Sequence, residues 1–176
     1  MNDNVRVTLR DMLRDRHYID IEVENDTTLI ASKSPTDKVM VYFIYDTKVS
    51  VKHIKNIKDM LDDEIKTLIL VYKNVITAFA KQFIVTDMNN IFVQAFSETD
   101  LSFNVTKHTL VPKHEVLTSD EKRAIMRQYK ASLKQFPLLL SSDPIARYYG
   151  LLPGAMVRIT RKSPTAGEYV LYRVVV

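Results

Sequence analysis

The placement of glycine is the feature that most restricts how this chain can fold. Only three of its 176 residues are glycine, and all lie near the C-terminus, at Gly150, Gly154 and Gly167. Glycine is the usual residue wherever the backbone must turn left-handed, so each one marks a position where another side chain would not fit. Residues 1–149 therefore cannot supply the glycine-rich loop that cradles nucleotide phosphates.

These glycines lie at the boundaries of a predicted helix, loop and β-hairpin. Asp143 and Pro144 predict an N-cap followed by proline at the first helical position, and Gly150 predicts the left-handed residue that ends this short helix. Gly154 opens a strand in which apolar and charged residues alternate. The turn sequence SPTAG then leads into a second strand, EYVLYRVVV.

The first part of the chain alternates helical and strand patterns. Three helices are predicted, at residues 5–17, from 50 to about 64, and at 74–83, where Ser50 and Asn74 are the expected caps. Strands are predicted at residues 19–23, 39–45, 67–72 and 91–96, with the polar residues 25–38 as a loop. This alternation predicts an α/β domain with a mostly parallel sheet.

The pattern changes at residues 97–104, which are polar enough for a connection between domains. We therefore predict an N-terminal domain of residues 1–104 and a C-terminal domain of residues 105–176. Residues 105–114 predict a strand, and Thr118 with Glu121 predicts a capping box that starts a helix. Short helices on a small mixed sheet make this second domain α+β.

Charge is distributed unevenly between the predicted domains. Residues 1–104 carry 13 Lys and Arg against 16 Asp and Glu, whereas residues 105–176 carry 12 against 5. A basic surface attracts nucleic-acid phosphates, but it serves an acidic protein partner equally well. A free DNA-binding adaptor is therefore an alternative interpretation of the C-terminal domain.

The composition also narrows the possible function classes. The chain has no cysteine, which excludes disulfides, thiolate metal sites and cysteine nucleophiles. No apolar run approaches the roughly 20 residues of a membrane-spanning helix, and the N-terminus lacks the apolar region of a signal peptide. We expect an intracellular, soluble protein with no membrane contact, cofactor, metal or small-molecule ligand.

Several motifs, in the same order, resemble one known family. DPIARYYGL, the pattern G-x-x-V-x-I-x-R-x-S-x-TAG-x-Y, and LVPKH at residues 110–114 look like the fifth shared subunit of eukaryotic RNA polymerases and its smaller archaeal counterpart. Residues 11–18 and 70–77 also resemble the N-terminal jaw domain of the eukaryotic subunit, which the archaeal protein lacks. The resemblance implies a eukaryotic or viral enzyme, and hence the nucleus, a virion or a cytoplasmic virus factory.

The resemblance implies a non-catalytic subunit of a DNA-directed RNA polymerase. Its C-terminal domain is expected to dock on the largest subunit, and its jaw domain to lie near downstream DNA. The expected interface residues are Pro112, His114, Asp143, Pro144, Arg147, Tyr148, Tyr149, Gly150, Arg158, Arg161, Thr165, Gly167, Tyr169 and Arg173. Lys73, Thr77 and Lys81, near a predicted helix start, are the candidates for sequence-independent contact with duplex DNA.

An enzymatic alternative follows from the same resemblance. The jaw domain of this family is similar in fold to restriction endonucleases, with helices on both faces of a sheet in three layers. Asp46, Glu64 and Lys66 are the residues that could form a nuclease site with Mg²⁺. Because a predicted helix separates Asp46 from Glu64, the spacing favours the non-catalytic interpretation.

Overall fold

In the computed structural model, which describes residues 3–163 and 167–176, the chain divides into two units between Phe103 and Asn104. The elements of the N-terminal unit are α1 (Asp3–Asp15), β1 (Asp20–Asn25), β2 (Thr28–Ser34), β3 (Asp37–Ile44), β4 (Lys48–Val49), α2 (Val51–Asp59), β5 (Ile65–Tyr72), β6 (Val75–Ile76), α3 (Ala78–Asp87) and β7 (Phe92–Ser97). Five of these strands form one sheet in the order β1-β2-β3-β5-β7. Strands β1 to β3 pair antiparallel, whereas β3, β5 and β7 run parallel.

Side chains on both faces of this sheet are buried. On one face, Met40 and Leu68 pack in a core with Ile54 of α2 and Ala80 of α3. Helix α1 lies on the other face, where the Arg6 guanidinium stands 5.7 Å from the centre of the Phe43 ring. The N-terminal unit is thus an α/β arrangement with helices on either side of a mixed sheet.

The predicted loop at residues 25–38 is wrong, because this segment contains β2 and the start of β3. Leu29 and Ala31 of β2 are buried, and the strand pairs with β1 and β3 on its two sides. The polar residues around these positions suggested a loop, but they form two tight connections between antiparallel strands. The sheet is consequently half antiparallel rather than mostly parallel.

Two predicted helices have different bounds in the structure. Helix α2 ends at Asp59, before the acidic residues 62–64. The predicted start of α3 at Asn74 is wrong, since Val75 and Ile76 pair with β4 and Thr77 is the N-cap. Parallel pairing with β4 determines the conformation of residues 75–76 and delays the helix start.

The C-terminal unit comprises a 3-10 turn (Val105–Lys107), β8 (Lys113–Val116), α4 (Ser119–Tyr129), a second 3-10 turn (Leu133–Gln135), β9 (Leu138–Leu139), α5 (Pro144–Tyr149), β10 (Met156–Ser163) and β11 (Gly167–Val175). Its four strands form a mixed sheet in the order β8-β10-β11-β9, in which only β9 runs parallel to its neighbour. A core that includes Ile125 of α4 covers one face, and a core that includes Ala146 of α5 covers the other. The predicted α+β arrangement with a mixed sheet is confirmed.

The predicted strand at residues 105–114 is mostly wrong. Residues 105–107 form a 3-10 turn that Asn104 caps, with its side-chain oxygen accepting from the Thr106 N–H at 2.9 Å. The strand begins only at Lys113, directly after Pro112, which has no N–H to donate to a neighbouring strand. Among the helices in the described ranges, none is both long and apolar enough to cross a bilayer.

Candidate functional site

Helix α5 is fixed at both ends by the residues that the sequence indicated. The Asp143 carboxylate accepts a hydrogen bond from the Ile145 N–H at 2.8 Å, and Pro144 occupies the first turn. Gly150 is left-handed, with φ of 63°, and the next N–H, of Leu151, donates to the Ala146 carbonyl at 2.9 Å. These caps confirm the predicted helix and place Asp143 beside the sheet.

Strand register brings the candidate side chains of β8, β10 and β11 onto one face. His114, Ile159 and Leu171 stand opposite one another across the three strands, and the next pair towards the hairpin tip is Arg161 with Tyr169. Since directly paired residues point to the same face, these five side chains lie together. This surface faces the side of the sheet on which α5 packs.

A groove of about 270 Å³ lies over this face. Its lining consists of Leu110, Val111, Pro112, His114, Leu139, Asp143, Ile145, Ile159, Arg161, Leu171 and Arg173. We call it the hairpin groove. Aliphatic side chains are the larger part of this lining, and its charged residues are two arginines and one aspartate. Such a surface fits a protein partner that buries apolar side chains and presents negative charge.

His114 is the histidine that lines the hairpin groove. Its Nδ1 lies 2.7 Å from the Pro112 carbonyl oxygen, so this nitrogen carries the proton and donates. Burial lowers the pKa of His114, and the positive charges of Arg161 and Arg173 act in the same direction, whereas the Pro112 hydrogen bond and Asp143 oppose the change. A neutral imidazole therefore fits the groove near neutral pH.

Arg173 has a structural contact in addition to its place in the groove. Its guanidinium donates to the Leu138 carbonyl at 2.9 Å and so links β11 to β9. Arg161 is exposed near the hairpin tip. Between these two arginines, Arg161 is the better candidate for pairing with an incoming carboxylate.

Not every predicted interface residue reaches this groove. The interface prediction for Tyr148 is corrected, because the side chain is 3% exposed and its hydroxyl accepts a hydrogen bond from the Asn104 amide at 3.0 Å. Arg158 points to the opposite face, where it stands between Glu115 and Tyr172 in the strand register. Thr165 lies outside the described residues. Gly167 is left-handed, with φ of 70°, and begins β11.

The remaining predicted interface residues lie at the edge of the groove or apart from its lining. Tyr169 is partly exposed and adjoins a second depression beside residues 109–113. Tyr149 packs edge to face against Tyr148, with ring centres 5.3 Å apart. Pro144 and Arg147 belong to α5, and the groove residue of that helix is Ile145, which the sequence analysis missed. Parity along the strands could also have indicated Leu171.

The candidate DNA-contacting residues lie around the start of α3. Lys73 and Lys81 are exposed, but the Thr77 hydroxyl is engaged internally. It donates to the Val49 carbonyl at 3.0 Å and accepts from the Ala80 N–H at 3.3 Å. Thr77 therefore positions the helix start, and the two lysines are the residues free to approach a phosphate.

The alternative nuclease site does not assemble. Glu64 precedes β5 and forms an ion pair with Lys38 at the start of β3, whereas Asp46 follows the end of β3 and contacts His53 at 3.0 Å. Six residues of strand separate these positions, which corresponds to roughly 20 Å. Two carboxylates that far apart cannot hold one Mg²⁺, and no acidic or histidine metal cluster occurs among residues 3–163 and 167–176.

A family model and three related proteins all indicate the same protein family. Residues 103–175 match the family model described as RNA polymerase Rpb5, C-terminal domain. The chain is 38% identical to the Dictyostelium discoideum protein named DNA-directed RNA polymerases I, II, and III subunit rpabc1, covering 98% of this chain and 95% of that one. It is 37% identical to the RPABC1 subunit of Caenorhabditis briggsae, covering 96% and 82% of the two chains. For the Caenorhabditis elegans RPABC1 subunit, the identity is 38%, over 86% and 74%.

Proposed function

Because the chain belongs to the Rpb5 family of RNA polymerase subunits, we propose that it is a non-catalytic subunit of a multisubunit DNA-directed RNA polymerase. The observation that carries this conclusion is the similarity over nearly the full length to subunits shared by polymerases I, II and III. The separation of Asp46 from Glu64 removes the one enzymatic alternative. Its partners are accordingly the other subunits of the polymerase.

The finer proposal is that the C-terminal unit docks on the largest subunit through the hairpin groove. Its apolar floor of Ile159 and Leu171, beside the exposed Arg161, supports binding of a segment that carries both aliphatic and acidic residues. The caps of α5 and the strand register make this surface rigid before binding. Preorganisation of this kind lowers the entropic cost of association.

Affinity purification of the tagged full-length chain tests both statements. The wild-type protein is expected to recover the large polymerase subunits in stoichiometric amounts. Arg161→Glu reverses the charge at the groove and should reduce that recovery several-fold. Arg123→Glu makes the same charge change on α4, where Arg123 pairs with Asp120, and serves as the control.

The possible outcomes separate the two statements. Absence of the large subunits from the wild-type preparation contradicts the subunit assignment. Normal recovery with Arg161→Glu, or an equal loss with Arg123→Glu, contradicts docking through the groove and leaves the assignment intact.

The proposal for the N-terminal unit is contact with the backbone of downstream duplex DNA. Exposed lysines near α2, β6 and α3 support it: Lys48, Lys52, Lys55, Lys58, Lys73 and Lys81. Contacts to phosphate do not depend on base sequence, as transcription of any template requires. The assignment of this unit to the restriction-endonuclease-like folds stays a prediction that its mixed sheet between helices supports.

Salt-dependent binding of the full chain to a short duplex tests the DNA contact. Replacing Lys73 and Lys81 by alanine should reduce the slope of log affinity against log salt by about 2, because two phosphate contacts are lost. Lys33→Ala with Lys66→Ala removes the same charge elsewhere in the unit. Equal slopes for all three proteins would contradict the assignment of these lysines.

The source organisms of the relatives also support a location. All three relatives described above are eukaryotic, so we place the protein in the nucleus. Microscopy of the tagged chain in its host tests this placement, and a cytoplasmic focus would favour the viral alternative.

A further inference from the structure

The outer edge of β11 is covered over only a small part of its length. This strand runs from Gly167 to Val175, and β10 pairs with it from Gly167 to Val174. On the other side, β9 pairs only with Val174 and Val175. In the described part of the chain, no other strand lies against β11, so residues 168–172 form an open sheet edge.

The direction of the backbone groups along this edge follows from one hydrogen bond. The Val174 N–H donates to the Pro137 carbonyl at 2.9 Å, so Val174 faces outward, towards β9. Backbone N–H and C=O groups alternate in direction from residue to residue along a strand. Glu168, Val170 and Tyr172 therefore also present their N–H and C=O groups outward, while Tyr169 and Leu171 face β10.

Pro137 prevents the pairing between β9 and β11 from extending further along β11. If the parallel register continued, the residue opposite the Tyr172 carbonyl would be Pro137, which has no N–H to donate. The chain before Pro137 forms the 3-10 turn of Leu133–Gln135 instead of a strand, and the Phe136 N–H donates to Leu133 at 3.4 Å. The edge is therefore open because Pro137 and the preceding 3-10 turn stop the pairing, and not because the chain there is too short.

This edge has few of the features that usually protect an exposed strand. Open edges normally carry lysine, proline or a bulge, which prevent pairing with other chains. Residues 168–172 contain none of these, pair with β10 in regular register, and include Val170, which is 46% exposed. The corresponding edge of β10 near the hairpin tip carries Lys162, the residue type most often used to protect an edge, whereas the charged residue among 168–172 is Glu168.

We propose that residues 168–172 of β11 accept an extended, acidic segment of another protein as an additional strand of the sheet. This inference rests on the proposed function and specifies how the partner subunit is held. Only an extended backbone offers donors and acceptors at the spacing that Glu168, Val170 and Tyr172 present. Side chains of the added strand on the α5 side of the sheet would lie beside Tyr169 and Leu171, next to the hairpin groove.

Charge identifies the occupant as a different protein rather than a second copy. The C-terminal unit carries 12 Lys and Arg against 5 Asp and Glu, so two copies joined edge to edge would repel each other. A segment rich in Asp or Glu would instead meet Arg161 and Arg173 on the groove side.

Hydrogen exchange of the full chain, free and within the purified polymerase, tests the proposal at single-residue resolution. In the free protein, the amides of Tyr169 and Leu171 should exchange slowly and those of Glu168, Val170 and Tyr172 quickly. In the assembled enzyme, the second set should slow by about tenfold or more, because each outward N–H gains a partner. Unchanged exchange at these three amides in the assembled enzyme would overturn the proposal.

A backbone variant provides an independent measurement. Val170→Pro removes one outward N–H without removing a bond to β10, whereas Val170→Thr keeps the N–H and changes only the side chain. Recovery of the large subunits should fall several-fold for the proline variant and stay normal for the threonine variant. Slow exchange at the Leu171 amide checks that the hairpin still forms.

The remaining outcomes distinguish strand addition from pairing with a second copy and from failure of the subunit assignment. Equal recovery with both variants contradicts strand addition while the subunit assignment stands. Protection of the three amides in the isolated chain at high concentration would assign the edge to a second copy and overturn the proposal. If the wild-type chain recovered no polymerase subunits, the proposed function would fail, and this inference with it.

Discussion

His114 illustrates how a single residue combines packing and charge. The side chain is half-buried in the hairpin groove, and its Nδ1–H is directed to the Pro112 carbonyl, which fixes the ring. Burial lowers the pKa of the imidazole more than Asp143 raises it. The folded protein therefore binds a proton at this residue less readily than the unfolded chain does.

The sign of the resulting pH dependence can be predicted. Because the pKa of His114 is lower in the folded state, its contribution to stability is complete above about pH 6.5, the ordinary value for histidine, and is lost as the pH falls towards the folded value. The free energy of unfolding, measured in urea at about pH 7.5 and about pH 5.5, should fall on acidification.

A substitution shows how much of this pH dependence of stability comes from His114. His114→Asn retains a donor for Pro112 but does not titrate, so the fall in unfolding free energy on acidification should be smaller than in the wild type. An identical pH dependence in the wild-type and His114→Asn proteins would contradict the prediction.

At the scale of elements, α3 shows how a tertiary contact determines where a helix begins. The sequence predicted Asn74 as the cap, whereas the structure has Thr77 in that position. Pairing of Val75 and Ile76 with β4 holds the chain extended, so that only Thr77 can serve as the cap. Its hydroxyl joins the helix start to the Val49 carbonyl and thereby connects α3 to β4.

Removing this cap should destabilise the protein by a predictable amount. Thr77→Ala is expected to lower the free energy of unfolding by about 1 kcal/mol, the usual cost of losing an N-cap side chain. The loss should not be larger, since the Val49 carbonyl still accepts from the Thr77 N–H at 3.1 Å. Thr77→Ser keeps the hydroxyl and should restore most of the stability in denaturant titrations. A serine variant as unstable as the alanine variant would exclude the cap as the cause.

At the scale of the whole molecule, the two units differ in charge. The N-terminal 104 residues have an excess of acidic residues, and the remainder has a marked excess of Lys and Arg. A field of this kind acts over about 10 Å at 0.1 M salt and accelerates encounter with an oppositely charged partner. The basic unit is the one that we propose to dock on the polymerase.

Assembly should therefore slow as salt increases. The association rate of the labelled full chain with polymerase lacking this subunit should fall steeply between low and physiological ionic strength. Replacing Arg161 and Lys162 by glutamine should weaken that dependence, whereas the same substitution of Lys33 and Lys66 in the N-terminal unit should leave it unchanged. A rate independent of salt would show that electrostatic attraction does not guide assembly.

The sequence predicted more features of one unit than of the other, and the reason is physical. The caps of α4 and α5 depend on residues within a few positions of each helix end, so Thr118, Glu121, Asp143 and Gly150 could be read directly. The start of α3 could not, because it depends on pairing with β4, which is distant in sequence. Strand β2 was missed although its partners β1 and β3 adjoin it in the sequence, because the polar residues of its two turns predicted a loop. The same limit applies to Tyr148, whose residue type suits an interface but whose position is internal.

The sequence by itself determined the family, the type of each domain, the helix caps of the C-terminal unit and the uneven charge, since these depend on residue identity and short-range spacing. Only the tertiary structure decided which side chains share the hairpin groove, that Asp46 and Glu64 lie at opposite ends of the sheet, and that β11 keeps an open edge. Those features depend on strand register and direction, which bring together residues that are far apart along the chain.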